Sequence, residues 1–141
     1  MDEKKKQKLK QASENLMRYV WRIETQNVAS PEELRDNDDK QDIVFKNLEK
    51  AVEMCVRIGK DVLKFCSNEQ CVENLSRKGT FWKMLNKKLM PPDLASRLVA
   101  DIDLRDVTTH DFINLNFWDV FEKIPRFLSD CRRFVLVVSA L

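Results

Sequence analysis

Glycine is nearly absent from this 141-residue chain, which has two, together with four prolines, one tyrosine and one histidine. With so few breakers, long uninterrupted helices are affordable. The four cysteines, Cys55, Cys66, Cys71 and Cys131, are dispersed without CxxC spacing. One histidine among scattered thiols makes a poor four-ligand set, so neither a metal nor another cofactor is expected. The first residues lack the apolar core of a signal peptide, and the closing apolar run from Phe134 to Leu141 is too short to span a bilayer. A reduced cytoplasm, with no membrane partner, is the expected home. Net charge is also missing: +2 gives no global nucleic-acid signature, so any RNA contact must come from a local patch. The length corresponds to about one domain, residues 1–141, large enough to bury a core without disulfides or metal.

What is present is helical periodicity. Leu9, Ala12, Leu16, Val20 and Ile23 recur at the three-or-four spacing of an amphipathic helix over about residues 4 to 25, whose lysine-rich start at residues 1 to 10 reads as frayed and solvated. Residues 27 to 39 form a polar, acidic connector, in which Ser30-Pro31-Glu32-Glu33 suits the cap of a short turn. A second helix, about residues 39 to 66, carries Ile43, Val44, Leu48, Ala51, Val52, Cys55, Ile58, Val62 and Phe65 on one broad stripe. Gly59 inside it costs ~1 kcal/mol of helix propensity relative to alanine, which suits a close helix crossing or is incidental. Cys55 and Cys66 fall near the stripe, as small buried hydrophobes.

After a linker at residues 68 to 78, a short capped helix starts at Thr80 and stops before Pro91-Pro92. The next helix covers about residues 92 to 107, and the last about residues 116 to 138, where Pro125 is expected to kink or restart it. Phe117, Val120, Phe121, Ile124, Phe127, Leu128, Cys131, Phe134 and Val135 exceed one core stripe, and the surplus points to self-association. The expected fold is all-α, an up-and-down bundle of four to five helices that forms a symmetric dimer.

Chemistry concentrates near residue 105. His110 is the one side chain with an unperturbed pKa, ~6.5, that suits proton transfer near neutrality. Arg105 presents a planar fork of donors that grips phosphate, and Asp106 is an acceptor able to orient an imidazole. On one α-helix Asp106 and His110 share a face, whereas Arg105 and His110 lie about 140° apart around the axis. Either the helix ends between them, at the β-branched Thr108-Thr109, or a second copy of the chain supplies the missing group. Upstream, Arg77, Lys78, Lys83, Lys87 and Lys88 occur with no acid between Ser76 and Pro92. Beside Phe81 and Trp82 these cations suit a single RNA strand; the alternative is core aromatics and a solvated basic face.

The segment Arg105-Asp106-Val107-Thr108-Thr109-His110 resembles the Arg-polar-x-x-x-His signature of HEPN domains, small helical ribonuclease and nucleotide-binding modules. Gln41-Asp42-Ile43-Val44-Phe45-Lys46-Asn47-Leu48-Glu49 is similar to the run that opens the second helix in the HepT branch of that family, the toxin half of a toxin–antitoxin pair. Asn114-Leu115-Asn116 leads into a long last helix, as it does there, and the likeness spans about residues 14 to 138. It implies a metal-independent endoribonuclease working in a dimeric cleft. His110 would deprotonate the ribose 2′-hydroxyl or protonate the leaving oxygen, Arg105 would stabilise the phosphorane, and Asp106 would orient His110 or the substrate. The implied partners are an RNA substrate, a second copy of the chain and a cognate nucleotidyltransferase antitoxin. Three departures stand out: Asp106 replaces a common asparagine, Asp103-Leu104 stands where a glycine precedes the arginine, and Phe112 occupies the place of the tyrosine that the antitoxin modifies with AMP. The absent glycine and the absent tyrosine point to the alternative, a non-catalytic HEPN-type module that binds a nucleotide or a nucleotidyltransferase.

Overall fold

The computed structural model describes residues 1–110 and 114–141. Among these are six α-helices: α1 (Glu3–Glu24), α2 (Pro31–Asp36), α3 (Asp38–Ser67), α4 (Arg77–Asn86), α5 (Pro92–His110) and α6 (Phe117–Ser139). A single 3₁₀ turn, Val72–Asn74, lies between α3 and α4. The bundle is all-α and up-and-down, with one helix more than the upper count expected. The extra one is α2, within the segment read as a connector. Ser30 accepts a hydrogen bond from the Glu33 amide at 3.1 Å, Pro31 opens the first turn, and Leu34 is completely buried, so one apolar side chain docks six residues of helix.

The α3 helix is the element against which the others pack. Its thirty residues span about 45 Å at 1.5 Å per residue, and its apolar stripe meets α1, α2, α4, α5 and α6. Val44, Leu48, Ala51, Val52, Cys55, Ile58 and Val62 are buried as the periodicity requires. Asn37 caps its start by accepting from the Lys40 amide, and Asn68 ends it in the left-handed region at φ 51°. Cys66 departs from expectation: it is exposed on the last turn, past the end of the buried stripe. Cys55 instead meets Cys131 of α6, both buried and unbridged, and that contact followed by burial raises the Cys131 thiol well above its ordinary value.

The start of α1 is ordered rather than frayed. Asp2 caps it by accepting from the Lys5 amide at 2.9 Å, and Lys5 and Lys8 lie over the Phe65 ring at 5.5 and 5.6 Å. Helix α4 begins at Arg77, not Thr80, because Ser76 supplies the cap and accepts from the Gly79 amide at 2.9 Å. Thr80 is thereby turned inward onto Gly59. A Cβ on Gly59 would stand 2.8 Å from Thr80 Cγ2 and 3.1 Å from Met84 Sδ, so this glycine marks a close crossing of α3 and α4. Helix α6 does not restart at Pro125; it continues through it as one helix. Phe134 of α6 meets Phe81 of α4 edge-on at 6.0 Å, closing the core. No helix among the described residues is long and apolar enough to cross a membrane.

Between α5 and α6 two carboxyl groups are buried together, Asp101 and Asp130, 4 % and 1 % exposed. Burial first, then the hydrogen bond and negative charge of Asp130, push Asp101 up to about 9, opposed by Arg126 and Arg97. Asp130 has no hydrogen-bond donor among the described residues other than a protonated Asp101. The two carboxyl groups thus face each other between the helices one turn before Arg105, with Arg97 Nη1 4.0 Å from Asp130 Oδ1.

Two outcomes are expected. Gly59→Ala gains ~1 kcal/mol of helix propensity and loses ~1–3 kcal/mol to overpacking, so urea unfolding is expected to register a net loss. Thr80→Ser, which removes the clashing methyl, is expected to reverse that loss in the double variant. For the acid pair, the native value of about 9 lies above the ordinary 3.8, so the folded chain holds a proton that the unfolded chain releases in that interval. The contribution of this pair to stability accordingly declines from about pH 4 to about pH 9, and Asp101→Asn is expected to flatten that decline in pH-dependent denaturation midpoints.

Candidate active site

Helix α5 carries the three motif residues, and it continues through His110 rather than ending at Val107. The threonines at which a break was expected are tied into the helix. Thr108 donates to the carbonyls of Leu104 and Arg105, both at 3.1 Å, and Thr109 donates to that of Arg105 at 2.7 Å. Such back-bonding satisfies the hydroxyls within the turn, so neither threonine diverts the backbone out of the helix. Arg105 and His110 are consequently about 7.5 Å apart along the axis and about 140° apart around it. Arg105 is buried toward α3, and His110 is exposed at the helix end.

The Arg105 guanidinium sits among carboxylates. Its Nη1 donates to Asp106 Oδ1 at 3.0 Å, while Nη2 lies 3.3 Å from Glu53 Oε1 and 3.7 Å from Glu49 Oε1. Its Nε is buried and has no partner among the described residues. Asp106 is thus engaged with the arginine. Glu53 Oε1 also accepts from Arg77 Nε at 2.7 Å, so one carboxylate oxygen receives guanidinium groups from α4 and α5. The arrangement holds two positive and three negative groups within ion-pair distance, which leaves little free charge for an incoming anion.

Lys78, Lys83 and Lys87 of α4 and its C-terminal turn have acceptors from outside their own segment. Lys78 pairs with Asp103 at 2.6 Å, and Lys83 and Lys87 share Glu69 at 3.2 and 3.5 Å, holding that carboxyl below its ordinary value. Lys88 takes the left-handed conformation at φ 59° in the turn that leaves α4. Of the two aromatics beside them, Phe81 is core and Trp82 is 44 % exposed. Arg77 therefore adjoins Arg105 through Glu53, and Lys78 reaches the same helix α5 through Asp103. Lys83 and Lys87 are held toward the loop after α3.

The sequence reading missed Glu53 altogether and took Glu49 only as the end of a motif. A signal was available, because acids four residues apart on a helix share one edge of it. Beside them a surface cavity of about 450 Å³ is lined by Tyr19, Lys50, Arg57 and Lys60 as well as the two glutamates. Among the described residues no group of three or more His, Cys, Asp or Glu side chains is placed to hold a metal. Phe112 lies outside the described residues.

Comparison with known proteins gives a consistent answer. The family model described as "Ribonuclease HepT-like" matches residues 9–138. A curated relative, the mRNA nuclease HepT of Shewanella oneidensis, is 26% identical over 100 residues, covering 71% of this chain and 73% of its own. In fold the chain is similar to the tri-AMPylated Shewanella oneidensis HEPN toxin solved in complex with its MNT antitoxin, at a TM-score of 0.82, 21% identity and full coverage of both chains. A toxin–antitoxin structure with AMP-PNP also gives 0.82 at 21% identity, covering 94% of this chain and 98% of that one.

Proposed function

Because the chain belongs to the HepT-like ribonuclease family, we propose that it is an endoribonuclease, the toxin of a pair whose antitoxin is a nucleotidyltransferase, acting on RNA in a cleft between two copies of itself. The observation that carries the reading is the continuity of α5 from Arg105 to His110. An unbroken helix keeps the arginine and the histidine on different faces, so a two-fold pair of α5 helices is the simple way to bring one of each to a single phosphodiester.

Within such a site His110 takes the proton of the ribose 2′-hydroxyl or gives one to the leaving 5′-oxygen, for which an exposed imidazole at a helix end is accessible. Attack of the 2′-oxygen on phosphorus forms a 2′,3′-cyclic phosphate and releases the 5′-hydroxyl, with no water consumed in that step. Arg105 places its Nη groups against the charge that develops on the phosphorane, and Asp106 holds Nη1 in position. The strand approaches along the face of Arg77 and Lys78, with Trp82 as an exposed stacking surface. Lys83, Lys87 and Lys88 extend the basic face toward the turn after α4. The exposed Leu136 and Trp118 of α6 leave apolar surface for a second copy or for the antitoxin. The chain acts as one domain, in the cytoplasm. Phe112, which stands where the resemblance places an AMP-accepting tyrosine, has no hydroxyl, so the antitoxin acts here by occlusion or through another residue.

Cleavage of total RNA is expected to survive EDTA and to leave cyclic or 3′-phosphate ends, read by end-specific labelling. His110→Ala is expected to lose roughly 10² to 10⁴ of the rate with the helical content intact. Ends bearing a 5′-phosphate, or an unaffected rate, would refute the mechanism. Mixing tests the shared cleft: Arg105→Ala and His110→Ala chains are each inactive alone, and co-refolding is expected to restore roughly a quarter of wild-type activity. Half of the randomly formed dimers are mixed, and each of those has one intact site of two. Failure of mixed dimers to cleave would place both residues in one chain.

A further inference from the structure

Glu53 is held between two arginines from different helices, and the way it is held specifies a ligand. Its Oε1 lies 2.7 Å from Arg77 Nε of α4 and 3.3 Å from Arg105 Nη2 of α5. Guanidinium forks accept carboxylate and phosphate oxygens with the same geometry. We propose that Glu53 Oε1 occupies the position of a phosphate oxygen in a two-arginine oxyanion site made by Arg105 and Arg77, and that a phosphodiester of the RNA binds there by displacing the carboxylate. This rests on the ribonuclease reading given above and adds to it a built-in competitor for the substrate.

Mobility favours displacement of the acid rather than of the arginine. The Arg105 side chain is 9% exposed and is held by Asp106, whereas that of Glu53 is 42% exposed at the rim of the 450 Å³ cavity. A glutamate that swings outward has a new partner on its own helix: Arg57, four residues on, lines the same cavity and lies only 4.0 Å from its present acceptor, Asp61. The exchange is close to balanced in charge, since a phosphodiester carries one negative charge, as does the carboxylate it replaces. The two guanidinium groups lose one anion and gain another, so Glu53 sets binding strength without altering the net charge of the occupied site. Closed, the site holds Arg105 and Arg77 against Glu49, Glu53 and Asp106, one negative charge in excess. Arg105 Nε, buried and unpartnered, is one further donor within the same guanidinium.

The test uses a single-stranded RNA oligomer with 2′-O-methyl riboses throughout, which binds but has no attacking hydroxyl, and reads Kd by fluorescence anisotropy. Glu53→Gln is expected to tighten binding about three- to tenfold, and Glu53→Asp, which keeps the charge but withdraws it by one methylene, to tighten it less. In an Arg105→Ala or Arg77→Ala background the gain vanishes, because no arginine pair remains to be released. Glu14→Gln, an equal change in net charge on exposed α1, is expected to change Kd by less than about twofold. If Arg105→Ala weakens binding while Glu53→Gln leaves it unchanged or weaker, the competitor role is overturned and the ribonuclease reading stands. An equal gain from Glu14→Gln also overturns it, as a general charge effect. If Arg105→Ala leaves binding unchanged, the two-arginine site falls, and with it the role of Arg105 in holding RNA.

Discussion

The fold depends on one long apolar stripe, and the position of the site follows from it. Because α3 buries Val44, Leu48, Ala51, Cys55, Ile58 and Val62 against five other helices, its rotation about its own axis is fixed. A fixed rotation also fixes where its polar edge faces. Glu49 and Glu53, one turn apart, are turned toward α5 at the level of Arg105. The close crossing at Gly59 brings α4 against the same helix, which places Arg77 within reach of Glu53. Packing of apolar side chains thus decides the charge environment of the one buried arginine.

That environment has an energetic logic. A guanidinium is costly to bury alone, and carboxylates from α3 and from its own helix compensate it. An arginine sheltered in a helix interface requires an anion beside it. The glutamates supply that anion in the free chain. The buried Asp101 one turn earlier is accommodated differently: burial and the neighbouring Asp130 raise it to about 9, which favours its neutral form.

Much of this was legible in the sequence because spacing reports faces. The stripe of α3, the amphipathic α1 and the capping signal at Ser30 are all local patterns with local causes, whereas Gly59 left a close crossing and an incidental glycine equally open until α4 was in place. What escaped reading depended on other elements. Helix α2 looked like connector because its one apolar anchor, Leu34, is too little for periodicity to register. Thr108 and Thr109 suggested a break because their propensity is poor, yet the helix continues through them with their hydroxyls bonded back to the preceding turn. Pro125 was expected to kink or restart the last helix, which continues through it. The basic run from Arg77 to Lys88 looked unpaired because its acids, Glu53, Glu69 and Asp103, come from other parts of the chain. A one-dimensional reading counts charges within a segment, whereas a folded chain pairs them across helices.

The threonines in the last turn of α5 also bear on where a nucleotidyl group could be attached. Enzymatic transfer of a nucleotidyl group needs an oxygen nucleophile that can approach the α-phosphate with a lone pair free and its proton passed to a base. Thr108 is 2 % exposed and its hydroxyl is committed to two carbonyls, while Thr109 donates to Arg105 at 2.7 Å. With phenylalanine at position 112, the hydroxyls closest in sequence to the motif histidine are therefore withdrawn from solvent or engaged in backbone bonds. An attacking oxygen at either threonine would have to give up its bonds to the carbonyls of the last turn of α5, next to His110.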